Sequence, residues 1–106
     1  MMIAETPELP YYAVIFTSLR REGDQGYEAT SEHMMQLAAQ QPGFLGVDHA
    51  RDTVGITVSY WKDLESIKNW RNHADHAQAR HRGRSEWYKA FKVRIARVER
   101  DYEFKI

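Results

Sequence analysis

Three of the five histidines and two of the three tryptophans crowd into one stretch, Trp70 to Tyr88, WRNHADHAQARHRGRSEWY. At about 100° per residue, a continuous helix puts Trp70, Ala74, Ala77 and His81 in one narrow stripe and His73, His76 and Arg80 in the next. That stripe offers an aromatic plate for stacking on a planar ligand, two small residues that leave space, and imidazoles that exchange a proton near neutral pH. The same spacing also suits a core tryptophan, alanine helix packing and solvated histidines. His73 and His76 stand i, i+3, so both could reach one ion, with His81 or His49 beside them. No carboxylate joins them in a metal-site motif, and no dedicated metal site is expected. The run Arg80, Arg82, Arg84 suits either an anion or the C-terminal dipole of the helix.

Other chemistries are missing their residues. The chain has no cysteine and no Gly-x-Ser-x-Gly elbow, which leaves nucleophilic catalysis without support. It has no Walker loop and no Gly-x-Gly-x-x-Gly, so nucleotide cofactors are not expected. With 106 residues the chain suits one domain, read as an irregular lead-in over 1–10, which holds Pro7 and Pro10, and a folded unit over 11–106. The longest apolar run, Tyr11 to Phe16, is far short of the about 20 residues a bilayer helix needs. The N-terminal MMIAETPELP carries no basic residue ahead of an apolar stretch, so it does not read as a signal peptide, and a cytoplasmic location is expected. Net charge is zero, which argues against a nucleic-acid partner. The zero is a cancellation: residues 1–67 carry 4 basic and 10 acidic side chains, and residues 68–106 carry 11 basic and 5 acidic.

The elements that must position these residues follow from periodicity. Tyr11 to Leu19 is β-branched and aromatic with apolar residues on both faces, a central strand. Tyr27 to Gln41 has helical spacing and ends at Pro42-Gly43. Phe44 to Arg51 and Val54 to Trp61 read as a hairpin around Asp52-Thr53. Asp63 is a plausible N-cap for a helix through Ile67 and Trp70, continuing to Gly83 with a break near Asn72. Helical character resumes at Ser85 to Tyr88, and a last strand spans Phe91 to Phe104 with a phase change that implies a bulge.

The order β-α-β-β-α-β predicts an α+β, ferredoxin-like sandwich, a four-stranded antiparallel sheet with both helices on one face. The other face, apolar along strands one and four, is rarely left in water, so a homodimer joined sheet to sheet is expected.

The strings PGFLGVDHARD and GITVSYWKDLESIKNWRNHADHAQA resemble the antibiotic biosynthesis monooxygenase family, small dimeric αβ-barrel proteins that include heme-degrading relatives. The resemblance runs from about Tyr11 to Phe104. It implies a homodimer with a pocket between helices and sheet in each subunit. It further implies a monooxygenase that works with dioxygen and no metal, flavin or nicotinamide, the substrate supplying the electrons. On that basis the expected substrate is a small aromatic or quinol-like molecule, and the positive excess around Trp70 to Arg84 favours an anionic or easily deprotonated one. The expected catalytic residues are Trp70, shaping the cavity, with His73 or His76 handling the proton. Arg80, His81, Phe16 and Tyr60 form the expected substrate-binding set. The resemblance leaves two alternatives, a heme-binding or heme-degrading protein and a non-catalytic dimeric module binding a small ligand. Heme-degrading relatives carry an Asn on strand one, a Trp on the second helix and a His about three helical turns beyond. Trp70 matches that pattern, whereas strand one offers Thr17 and Ser18, and Arg80 stands at the histidine position with His81 next.

Overall fold

Aromatic and β-branched residues make Tyr11–Arg20 the first strand, β1, in the computed structural model, which describes residues 2–106. Helix α1, Tyr27–Ala38, begins where the Asp24 carboxylate accepts from the Gly26 and Glu28 N–H groups at 2.9 and 3.1 Å. Those donors would otherwise lack partners at the helix start. The helix stops short of the expected Gln41. Gln40 and Gln41 donate to the Leu37 and Ala38 carbonyls, a tightened last turn, and Gly43 then reverses the chain at φ +87°.

The hairpin of β2, Phe44–Arg51, and β3, Gly55–Trp61, forms as expected, except that Val54 belongs to the turn, where its carbonyl accepts from Asp52 N–H. Asp63 caps helix α2, Leu64–Arg71, accepting from Ser66 N–H at 2.8 Å and Ser66 Oγ at 2.7 Å. A Cβ on Gly43 would overlap that same Ser66 hydroxyl, so the turn and the cap are built against each other. The second helical region breaks at Asn72–His73. His73 is extended, and its Nδ1 accepts from Asp75 N–H at 3.2 Å to cap α3, Ala74–Arg82. A π-helical turn over Gly83–Trp87 leads into β4, Tyr88–Val98.

The sheet is antiparallel throughout, in the order β2-β3-β1-β4, and the chain is an α+β, ferredoxin-like sandwich. The expected bounds of the last strand, Phe91 to Phe104, need correction. β4 pairs only with β1, whose ladder ends at Tyr11↔Val98, so nothing remains for residues 99–106 to pair with. The bulge lies at the start of β4: Leu19 opposes Ala90 but Arg20 opposes Tyr88, skipping Lys89. Skipping one residue turns Tyr88 onto the face that carries Phe91, Val93 and Ile95.

That inner face, with Val14 and Phe16 of β1 and Trp61 of β3, meets the helices. Trp61, 1% exposed, and Trp87, 3%, anchor the core with Ile67. The outer face holds Tyr11, Ala13 and Tyr60. The lead-in and the tail lie across part of it: Ala4 N–H donates to Asp48 at 2.8 Å, and the Tyr11 hydroxyl donates to Asp101 at 2.5 Å. Leu19 and Ile56 of the same face stay exposed. No helix of the described residues is long and apolar enough to cross a membrane.

Candidate functional site

Between the helices and the inner sheet face lies a cavity of about 510 Å³. Its walls are aromatic. Trp70 stacks on Trp61, with Phe44 edge-on to Trp61, at one side, and Phe16, Tyr88 and Phe91 cluster at another, with centroids 5.4 to 5.9 Å apart. Four guanidinium groups line it, those of Arg51, Arg71, Arg80 and Arg84, together with His76, and no Asp or Glu lines it. Among the described residues the carboxylates within 4 Å of a basic side chain are Asp75, beside His33, and Glu86, paired with Arg82, so none of those four cations has a carboxylate partner. Nor do three His, Asp or Glu side chains converge on any one point among the described residues.

His76 lies flat on Trp70, with centroids 4.5 Å apart and planes 8° from parallel, and its Nδ1 is 3.1 Å from the Trp70 carbonyl. A carbonyl only accepts, so Nδ1 carries the proton and a neutral ring keeps its lone pair on Nε2. Burial pushes the imidazole below its ordinary 6.5. The bond to Trp70 resists that shift, and the charges of Arg80, His73 and Arg71 add to it. His76 is therefore neutral at pH 7 and available as a base. The Arg80 guanidinium donates to the Arg71 carbonyl at 3.1 Å, while its Nε is buried with no acceptor. Burial and the like charges of Arg71 and Arg84 lower its pKa, so an anion placed there would relieve both.

The break at Asn72–His73 changes which residues share the Trp70 side. An uninterrupted helix would turn Ala74, Ala77 and His81 inward. α3 starts afresh from the His73 cap, and it is His76, Ala79 and Arg80 that line the cavity. His81 is exposed, its carbonyl accepting from the Ser85 hydroxyl, and it lies outside the cavity lining. His73 packs its ring 5.5 Å from that of Trp70 but serves as the cap. Phe16 lines the cavity. Tyr60 does not: strand alternation puts it on the outer face, where it donates to Asp48 at 2.9 Å, and burial followed by that bond raises its pKa to about 12. At the strand-one position of the heme pattern, Ser18 faces inward and accepts a hydrogen bond from Arg51, while Thr17 faces outward.

Sequence reasoning missed Arg51 and Tyr88. Tyr88 reaches the cavity only through the bulge, and burial, then a hydrogen bond with Tyr27, raises its pKa well above the ordinary tyrosine value. The signal for Arg51 was its partner across the hairpin, Gly55: a Cβ there would overlap the guanidinium.

The sequence profile of the antibiotic biosynthesis monooxygenase family matches residues 10–82. The chain belongs to this family. The antibiotic biosynthesis monooxygenase profile thus takes in Trp70, His76 and Arg80 but stops before β4 and the bulge that turns Tyr88 inward. The chain is 51% identical over 105 residues to the protein YqjZ of Bacillus subtilis (strain 168), covering 97% of this chain and 92% of that one. In fold it resembles SO0527 of Shewanella oneidensis, with a TM-score of 0.75 at 11% identity over 86% of this chain and 93% of that one. It also resembles a variant of SnoaB, a cofactor-independent oxygenase of Streptomyces nogalater, with a TM-score of 0.74 at 10% identity over 86% and 95%.

Proposed function

We propose that this chain is a cofactor-independent monooxygenase for a small aromatic molecule with an acidic phenol or enol. The observation that carries the reading is the Trp70–His76 stack beside Arg80, in an aromatic cavity free of carboxylates. Aromatic walls hold the ring of the substrate and keep water from it. Nε2 of His76 takes the proton of the phenol or enol. The resulting imidazolium stays on the Trp70 face, a cation against a π-system, and Arg80 stabilises the arenolate. The electron-rich anion then reacts with dioxygen at an activated CH2 carbon. A CH2 group and O2 become a C=O group and H2O, so all four electrons come from the substrate.

The same reading carries a homodimer. It is supported by the apolar outer sheet face, where Leu19 and Ile56 are exposed, and by the tail, where Tyr102, Phe104 and Ile106 find no cover within the chain. Sedimentation is expected to give about twice the 12.5 kDa chain mass; a monomer at micromolar concentration contradicts it. The enzyme reading is tested with anthrone, an arenol tautomer with an activated CH2, under ¹⁸O2. One labelled oxygen in the quinone product supports it. Absence of enzyme-dependent oxygen uptake across anthrone and a panel of naphthols and hydroquinones refutes it.

A further inference from the structure

Arg51 stands apart from the machinery just described. It projects from β2 on the sheet floor, whereas His76 and Arg80 come from α3 on the opposite wall. Its guanidinium donates to the hydroxyl of Ser18, which is 2% exposed, and it occupies the space left by Gly55. Its Nε is buried with no acceptor in the chain. That Nε is closed off from the cavity, but Arg51 as a whole is half-buried, lines the cavity and has no carboxylate partner among the described residues. A fold that fixes a charged fork with a buried hydroxyl and omits a side chain to make room for it holds that fork for an acceptor from the cavity.

The two poles of the cavity are distinct. Arg80 acts electrostatically on His76 and feels Arg71 and Arg84. Arg51 stands instead on the sheet floor against Ser18, in the part of the lining that β1 and β4 supply with the Phe16, Tyr88 and Phe91 rings. One arenolate oxygen engages one pole and leaves the other empty.

We infer that Arg51 is a specificity residue, and that the ligand is an aromatic acid with a carboxylate held by Arg51 on the sheet floor and an ionisable hydroxyl facing His76 and Arg80. The inference rests on the proposed reading of the cavity as a substrate site. It deepens that reading by naming the substrate class, a hydroxyarene carboxylate. Arginine suits the role because its planar fork meets a carboxylate with two donors, and the Ser18 contact holds that fork in place.

The test is equilibrium binding, followed by the quenching of tryptophan fluorescence from Trp61 and Trp70 in the cavity wall. The probes are 3-hydroxy-2-naphthoate and its neutral carboxamide, matched in shape. The wild-type protein is expected to bind the acid at least about tenfold more tightly than the amide, the scale of a charge-assisted pair. Arg51→Gln is expected to bind the two alike, and Arg51→Lys to restore part of the preference. Equal wild-type affinities overturn the inference without any variant, so a poorly folded Arg51→Gln cannot shelter it. A preference undiminished in a folded Arg51→Gln protein, folding being checked by circular dichroism, overturns it as well. Selective binding of the acid without turnover of any arenol would leave Arg51 in its role and remove the oxygenase reading. Turnover of neutral arenols with no preference for the acid would do the reverse.

Discussion

Replacing His76 by Gln separates the base from the shape of the cavity. The amide is planar and can still lie against Trp70 and donate to its carbonyl, taking over the 3.1 Å contact that Nδ1 makes. What it lacks is the lone pair of Nε2 as a proton acceptor. A positioned general base contributes about 10²–10⁴-fold, which is about 3–5 kcal/mol of barrier at 1.36 kcal/mol per decade. The expected result, measured with an oxygen electrode on anthrone, is a fall in kcat of that size with KM little changed. The pH profile adds a second readout. Burial lowers the folded pKa of His76 below 6.5, so the activity of the wild-type protein rises with pH through a value below 6.5 and is level by pH 7. The same shift acts on stability. Between the depressed value and 6.5 the unfolded chain binds more protons than the folded one, so stability rises with pH across that window and is lost on acidification. His76→Gln flattens both dependences. A variant that keeps most of the wild-type kcat, or shows the wild-type pH profile, refutes the assignment of the base.

Two further outcomes concern the frame that holds the site. Trp61→Ala removes a side chain that is 1% exposed and packed against both Phe44 and Trp70; it is expected to cost about 3–5 kcal/mol in urea unfolding and to loosen the Trp70–His76 wall. Gly43→Ala forces an L side chain to φ +87° and drives its Cβ into Ser66 Oγ; it is expected to cost about 1–3 kcal/mol by thermal melting. In a Ser66→Gly background, which itself gives up the Oγ bond to Asp63, Gly43→Ala should cost less than in the wild-type protein because only the backbone strain remains; an equal cost in both backgrounds removes the overlap argument.

The first three strands and the Asp63 cap were legible because their signals are local. Asp63 with Ser66 three residues on, Pro42-Gly43, and the apolar runs of β1 and β3 each act within a few residues. The site was legible only in part, because its composition depends on two phase changes. One is the His73 cap, which ends the continuity of the second helix and exchanges Ala77 and His81 for His76, Ala79 and Arg80 on the cavity side. An Asn-His pair mid-helix marks such a break weakly, as both residues are tolerated in helix interiors. The other is the bulge at Lys89, which turns Tyr88 inward; nothing in the sequence Trp87-Tyr88-Lys89 distinguishes it from a regular strand start. Tyr60 was misplaced for a different reason. The apolar set of β3, Ile56, Val58 and Tyr60, lies on the outer face, while Thr57 and Ser59 share the inner face with Trp61, so its periodicity points to the face away from the helices.

The same alternation sorts some of the charges that cancel in the zero net balance. Along β2, Asp48 and Arg51 are an odd number of residues apart, and successive side chains of a strand point to opposite faces. Asp48 therefore goes outward, to Tyr60 and the Ala4 N–H, and Arg51 goes inward, to Ser18 and the cavity. The tail repeats the sorting, with Asp101 brought to Tyr11 on the outer face. On β2 the carboxylate thus goes to one side and the guanidinium to the other, while β4 sends Lys92 and Arg94 outward, opposite Thr17 and Ile15. The inner side is left with four cations and no anion of its own, an excess of positive charge that favours an anionic ligand of the proposed kind. A negative charge introduced at Thr57, a β3 residue of that inner face, would compete with such a ligand. The same charge at Val58, one residue on and facing outward, would not.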